Sequence, residues 1–424
     1  MRTRWVLPFV AAIAACSDDM PPSAPQPPTT ISVAYCDGRV PSWVALQDGD
    51  GAWTRAQPVA SGANTTFRYD FSANRGAIAT LTRISAEITV LSVLYGTPAE
   101  LVTVGDTNPE DCAPTASKHL FGTVVGLDTN ESAFVGGSLF RRARVLADGT
   151  FELRDLPSGP NALLATTQIN GADVPNRLIL RRDIDVPDSA SVPVLDFASE
   201  AFAPAIATVS LDGLGADGAT YGTRLLTSHD DITVASSGTT VGTGPYAALP
   251  EARLRAGDLQ ILSASSTAAV TGSARSATLY FRAPTDRTLA FGAPLIQPTF
   301  TTVATAPALR LRAQFVPQSD YDRSAFVTYQ QSTTTLLVFV AISMTGSYAA
   351  LTGTGYDLVI PDLSGAPGFD PAWSLHAGGT LRWTAARVGG TVPLGRDAVP
   401  SDGATQQSVL GVGEIVAAAA GGVR

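Results

Sequence analysis

Apolar and polar residues alternate in short runs along most of the chain, and each run predicts a strand. Residues 31–35, 42–46 and 65–71 alternate in this way, with Phe67, Tyr69 and Phe71 opposing Thr66, Arg68 and Asp70. Residues 53–56, 76–81 and 88–95 add further strands, the first leaving a glycine-bearing turn at 47–52. Thr97, Pro98 and Glu100 then spell a helix start: an N-cap, a proline at the first helical position and an acid at the third. Gly105 is the expected end of that single short helix. Beyond residue 120 the strands resume at 122–126 and 143–146, and Asp148-Gly149 marks a hairpin turn. Further strands are predicted at 208–211, 221–227, 232–234, 253–263, 277–282, 308–315, 325–330, 356–360 and 381–385. The continuous apolar run 336–342 has the length of a strand buried on both faces. Glycine and small residues from Val399 onward predict a loosely held tail.

The fold class that follows is all-β: tandem β-sandwich domains, then a larger antiparallel β domain built as a sandwich or a barrel. Residues 31–116 form the first unit, 117–198 the second and 199–424 the third. The first resembles an immunoglobulin-like sandwich in its count of short strands. In the second, Asp148-Gly149, Phe151, Leu153, Leu156-Pro157 and Gly159 resemble the "DG-x-F-x-L-x-x-L-P-x-G" pattern of carboxypeptidase regulatory-like (prealbumin-like) domains. That resemblance implies a noncatalytic spacer or docking module of cell-surface proteins, with the pattern joining two consecutive strands.

Composition narrows the class of partner. Hydrophobic residues make up 45 % of the 424, ample for buried cores, and only 15 % are charged. The formal charge is −9, and Lys118 is the one lysine. An acidic chain without a basic cluster cannot neutralise phosphates, so nucleic acid is not an expected partner.

The N-terminus carries the most specific signal. Arg2 and Arg4 precede an apolar run of about eleven residues, half of the roughly twenty that span a bilayer. Ala14-Ala15-Cys16 follows, then Ser17 and a proline-rich segment. This resembles a bacterial lipoprotein signal, which implies that residues 1–15 are removed and that Cys16 carries lipid. Residues 16–30 then form a linker that holds the first domain about 30 Å from the bilayer. The resemblance implies a cell-envelope protein. Ser17 in place of an aspartate leans that expectation to the outer membrane, with surface exposure an open alternative. Cys36 and Cys112 are left as an even pair in an oxidising compartment, where a disulfide is the default.

Candidate chemistry is sparse. Gly213-Leu-Gly215-Ala-Asp-Gly218 fits G-x-G-x-x-G, with Asp230 and Asp231 downstream, but a dinucleotide site needs a helix to begin there. Asp48, Asp50 and Asp37 resemble the start of a calcium loop that lacks its closing glutamate. His229 with Asp230 and Asp231 is the one histidine beside carboxylates, and no G-x-S-x-G or H-E-x-x-H accompanies it. No catalytic residue, metal ligand or cofactor is therefore expected. Trp43 with Trp53, and Trp373 with Trp383, flank glycine-bearing turns. Core packing is the commoner role of such aromatics; on a surface loop, Trp373, His376 and Trp383 would form a ligand contact. The expected function is noncatalytic presentation of β modules to a glycan or an envelope protein. The alternatives are a glycan hydrolase acting through acidic residues of the third unit, or a barrel carrying an apolar ligand.

Overall fold

The computed structural model describes residues 29–416, apart from 37–39, 62–63, 103–117, 139–140, 158, 186, 229, 271, 333–335 and 394–398. Almost every element is a strand. A twelve-stranded sheet forms the spine, in the order Asp231–Ser236, Ala219–Leu226, Leu259–Thr267, Ala274–Phe281, Thr405–Val416, Thr380–Gly390, Ser324–Ser332, Leu337–Thr345, Ile88–Gly96, Gly76–Arg83, Trp43–Asp48, Thr54–Arg55. It is open, with Asp231–Ser236 at one edge and Thr54–Arg55 at the other, so the third unit is built from sandwiches and not as a barrel.

Three small sheets cover parts of this spine. Thr29–Cys36, Asn64–Phe71 and Pro58–Ser61 form one. Its inward residues Ile31, Val33, Tyr35, Phe67, Tyr69 and Phe71 pack on Val44 and Ile78, and the alternation of the sequence is the reason. The opposite face of the same spine strands, carrying Trp43, Ala45, Ala77, Ala79, Leu81, Leu91 and Val93, meets the sheet Thr299–Ala304, Arg310–Gln314, Asp357–Val359. These strands are thus buried on both sides. The third small sheet, Thr243–Ala248, Ala205–Asp212, Arg287–Ala290, encloses Val209, Tyr246, Leu262 and Phe281 against the other end of the spine.

The N-terminal strands join the C-terminal ones through a parallel ladder. Leu337–Thr345 pairs with Ile88–Gly96 over eight residue pairs, from Leu337 opposite Ile88 to Met344 opposite Tyr95. The spine therefore runs unbroken from the first expected unit into the third.

Residues 118–196 form a sandwich of their own. Lys118–Val125, Thr150–Leu156 and Ala190–Ser191 face Arg142–Arg144, Glu131–Gly136, Asn161–Ile169 and Arg177–Ile184. The core holds Leu120, Val135, Phe151, Leu153, Leu156 and Leu163, including the apolar positions of the "F-x-L-x-x-L" run. Asp148-Gly149 does make the tight turn: Gly149 has φ +84° and the Leu146 N–H reaches the Thr150 carbonyl at 2.8 Å. The strands beside it are not a hairpin pair, however. Arg142–Arg144 bonds to Glu131–Gly136 and Thr150–Leu156 to Lys118–Val125, so the turn is a corner between facing sheets.

Other expectations are corrected. The tail from Val399 contains Thr405–Val416, a twelve-residue strand inside the spine between Ala274–Phe281 and Thr380–Gly390. The capped helix is Pro98–Leu101 and ends at Val102 in αR conformation; Gly105 lies outside the described residues. A second helix, Gly346–Thr352, is present. The stretch 253–263 divides into a 3₁₀ turn, Glu251–Arg253, and a strand starting at Leu259.

Candidate functional site

An open cleft of about 600 Å³ lies between the turn after Trp43–Asp48 and the loop after Asp357–Val359. Its volume lies within the range of small-ligand sites. Trp53 and Tyr95 give it aromatic walls, and Gln47, Arg310, Asp362 and Ser364 supply polar groups.

Each wall is fixed by its own hydrogen bonds. Gly49 turns the chain at φ +57°, and the Asp48 carboxylate accepts from the N–H groups of Ser72 and Ala73 at 3.0 and 2.9 Å. Asp50 pairs with Arg75, and Gln47 Nε2 donates to the Gly51 carbonyl at 2.8 Å. Asp48 and Asp50, the acidic residues of the turn that resembles a calcium loop, are thus bound to protein donors, and Asp37 lies outside the described residues. Across the cleft, Arg310 Nε donates to the Ile360 carbonyl at 2.9 Å, and its Nη1 lies 3.5 Å from Asp362 Oδ2. Asp362 Oδ1 accepts from the Ser364 hydroxyl and N–H at 2.6 and 3.1 Å. Those two bonds, helped by Arg310, hold its carboxyl below the usual range. Tyr95 stands against Tyr348 with ring centroids 5.3 Å apart, and burial pushes its hydroxyl pKa up.

The loop that forms the second wall is stapled to the N-terminal strands. Trp43 Nε1 donates to the Pro367 carbonyl at 3.1 Å, and its ring lies 5.2 Å from Phe369. Gly368 has φ +75° and presses on the Arg55 guanidinium, where a Cβ would come within 2.6 Å of Nη1. Trp373 continues the seam: it is half-buried, edge-on to Phe369 and 5.4 Å beneath the Arg83 guanidinium.

The three residues of the expected contact segment are distributed. Trp373 belongs to this seam. The His376 backbone exchanges hydrogen bonds with the Gln331 amide at 2.7 and 2.8 Å. Trp383 is 5 % exposed, with its ring 4.9 Å from Phe300 and laid over Gly413. Trp43 and Trp53 are also core residues, although Trp53 borders the cleft. Sequence reading singled out Trp53 but missed Arg310 and Asp362, which carry no local signal.

The remaining motifs serve the architecture. Gly213-Leu-Gly215-Ala-Asp-Gly218 is a turn into the strand Ala219–Leu226, not into a helix. Its Gly213 carbonyl and Asp217 carboxylate are held by the buried Arg275 at 2.9 and 3.1 Å. His229 lies outside the described residues. Asp230 is buried and accepts from the Ser138 hydroxyl and the Ala162 N–H, tying the 118–196 sandwich to its neighbour. Arg182 with Asp258 (2.6 Å) and Arg255 with Asp183 (2.8 Å) cross the same junction. Among the described residues no group of three His, Cys, Asp or Glu side chains could hold a metal ion, and no helix is long and apolar enough to cross a membrane. Cys16, Cys112 and the side chain of Cys36 lie outside the described residues.

No protein-family model matches the chain, and no curated protein matches it. Among solved structures, similar chains include the Bacillus anthracis TIE protein, at 9 % identity over 88 % of this chain and 67 % of that one, with a TM-score of 0.15. Another is a streptococcal ancillary pilin, at 7 % identity over 68 % of this chain and 94 % of the pilin, with a TM-score of 0.16.

Proposed function

We propose that this chain is a noncatalytic envelope lipoprotein, tethered through lipid on Cys16, that binds a glycan in the cleft between Trp53 and Asp362. The observation that carries the reading is how the cleft's polar groups are engaged. Arg310, Asp362, Ser364 and Gln47 are all bonded to neighbours within their own wall. Fixed donors and acceptors beside aromatic walls suit recognition of a hydroxyl-rich ligand. A general acid or base would instead need a free proton position. Two carboxylates of the third unit are similarly engaged, Asp357 by Arg312 and Glu414 by Arg382, which weighs against a hydrolase acting through either. Side chains fill the interior between the sheets, and this weighs against an apolar-ligand carrier.

Two measurements test the two halves of the proposal. A Cys16→Ser variant should leave the membrane fraction; retention there sinks the anchor. On a glycan array the mature chain should bind at least one class of glycan, and Asp362→Asn should weaken that binding about tenfold, equivalent to about 1.4 kcal/mol. A blank array, or a variant that binds unchanged, sinks the cleft reading.

A further inference from the structure

We infer that the free edge of the strand Thr299–Ala304 is a binding site for an extended peptide, taken up as an added strand of its sheet. The inference is independent of the cleft and of the anchor.

Thr299–Ala304 stands at the end of its three-stranded sheet and bonds to Arg310–Gln314 on one side, in regular register from Thr299 to Thr302 and with a bulge at Val303. Among the described residues, its backbone forms no hydrogen bond on the other side. Alternate N–H and C=O groups of the regular run Thr299–Thr302 point outward, and the ligand that satisfies them in register is another strand.

Most other sheet ends are blunted in ways that discourage such pairing. Pro58–Ser61, Thr54–Arg55, Arg142–Arg144, Ala190–Ser191, Arg287–Ala290 and Asp357–Val359 have four residues or fewer. Arg177–Ile184, Thr150–Leu156 and Asp231–Ser236 carry charges, and Thr243–Ala248 contains Pro245. Among the described sheet ends, Thr29–Cys36 and Thr299–Ala304 alone are longer and free of both; Thr29–Cys36 adjoins residues outside the described set, and Thr299–Ala304 keeps a regular run from Thr299 to Thr302 before its bulge.

The edge is also exposed and pre-formed. Thr299, Thr301 and Val303 face solvent, Val303 at 45 % exposure. On the inward face Phe300 is clamped by Trp383 and Tyr329, at ring distances of 4.9 and 6.1 Å. A partner strand therefore meets a rigid template and avoids much of the ordering cost on this side.

Size selects a peptide over a second copy of the chain. Six residues offer roughly 20 Å of edge. One added strand buries much less than the about 800 Å² per partner typical of a stable protein pair. Two copies of a chain with formal charge −9 also repel. Thr301 and Val303 favour threonine or β-branched residues opposite them, so the fitting peptide is uncharged and β-prone.

The test is hydrogen–deuterium exchange of the full chain with a capped synthetic hexapeptide of alternating threonine and valine. Saturating peptide should slow exchange at least tenfold at alternate amides within 299–304. A fully N-methylated version, which cannot pair its backbone, should have no effect. Val303→Lys, a surface change, should weaken binding of the unmethylated peptide at least tenfold with an unchanged circular dichroism spectrum. Absent protection, or equal protection by the methylated peptide, overturns the inference. Protection that instead rises with protein concentration alone assigns the edge to a second copy and overturns it as well. Asp362→Asn should leave the peptide response intact, so failure of the cleft reading and failure of this one are distinguishable.

Discussion

Arg387 shows how single buried cations hold the loops of this molecule. It is 2 % exposed; Nη1 donates to the Val316 carbonyl at 2.9 Å, Nη2 to the Tyr321 carbonyl, and the guanidinium lies 4.8 Å from the Tyr356 ring. Arg387→Ala would strand two carbonyls and open a cavity, so a loss of about 3–5 kcal/mol in urea denaturation is expected. Arg387→Lys should recover little of it, because a point charge cannot span both acceptors. Glu131 makes the complementary case for an anion. Burial alone would raise its pKa, but Arg177, the Asp128 N–H and Asn176 outweigh that and hold the carboxyl at about 2. Its folded pKa is thus below its unfolded one. The stability it contributes is complete above about pH 4.5 and is lost as pH falls towards 2. Glu131→Gln should flatten the acid limb of the stability profile in that window; an unchanged limb would show that the Arg177 contact contributes nothing.

The helix start at Thr97 was legible in the sequence because capping chemistry is local: cap, proline and acid lie within four residues. Its second role was not legible. Glu100 Oε2 accepts from the Thr97 N–H at 2.9 Å and also from the Thr345 hydroxyl at 2.7 Å, and Thr345 is the N-cap of Gly346–Thr352. One carboxylate thereby joins the caps of two helices far apart in the chain. Glu100→Ala should cost about 1–3 kcal/mol, and a double-mutant cycle with Thr345→Val should give a coupling above about 0.5 kcal/mol. Purely additive effects would separate the two caps. The strand Thr405–Val416 shows the opposite limit of sequence reading. Gly411 and Gly413 spoil its strand signal, yet Leu295 and the Trp383 ring occupy the space their side chains would take. What reads as a loose tail is a strand thinned to admit neighbours from other elements.

At the scale of the whole molecule, alternation predicted the all-β class and many of the strands, missed others such as Glu131–Gly136, Thr299–Ala304 and Thr405–Val416, and was silent on which strands meet. The parallel ladder between Ile88–Gly96 and Leu337–Thr345 joins segments with more than half the chain between them, and no local pattern encodes that choice. The cleft is hidden for the same reason, since Trp53 and Asp362 face each other only once that ladder forms. The ladder also has an energetic consequence. Trp43, Ala45, Leu81, Leu91 and Val93 are at most 2 % exposed, and their burial comes from residues beyond 290 such as Leu309, Leu311 and Val340. A fragment ending at residue 102 would lay this face open to water. Leu81, Leu91 and Val93 alone would forgo about 1.5–3 kcal/mol each, against a domain stability of about 5–15 kcal/mol. The fragment 29–102 should therefore fail to fold alone, giving no dispersed amide spectrum and binding a dye for exposed apolar surface. Adding residues 299–416 in trans should restore dispersion if the ladder is the organising contact. A fragment that folds unaided would show that the N-terminal sandwich is self-sufficient and that the parallel ladder merely docks two finished domains.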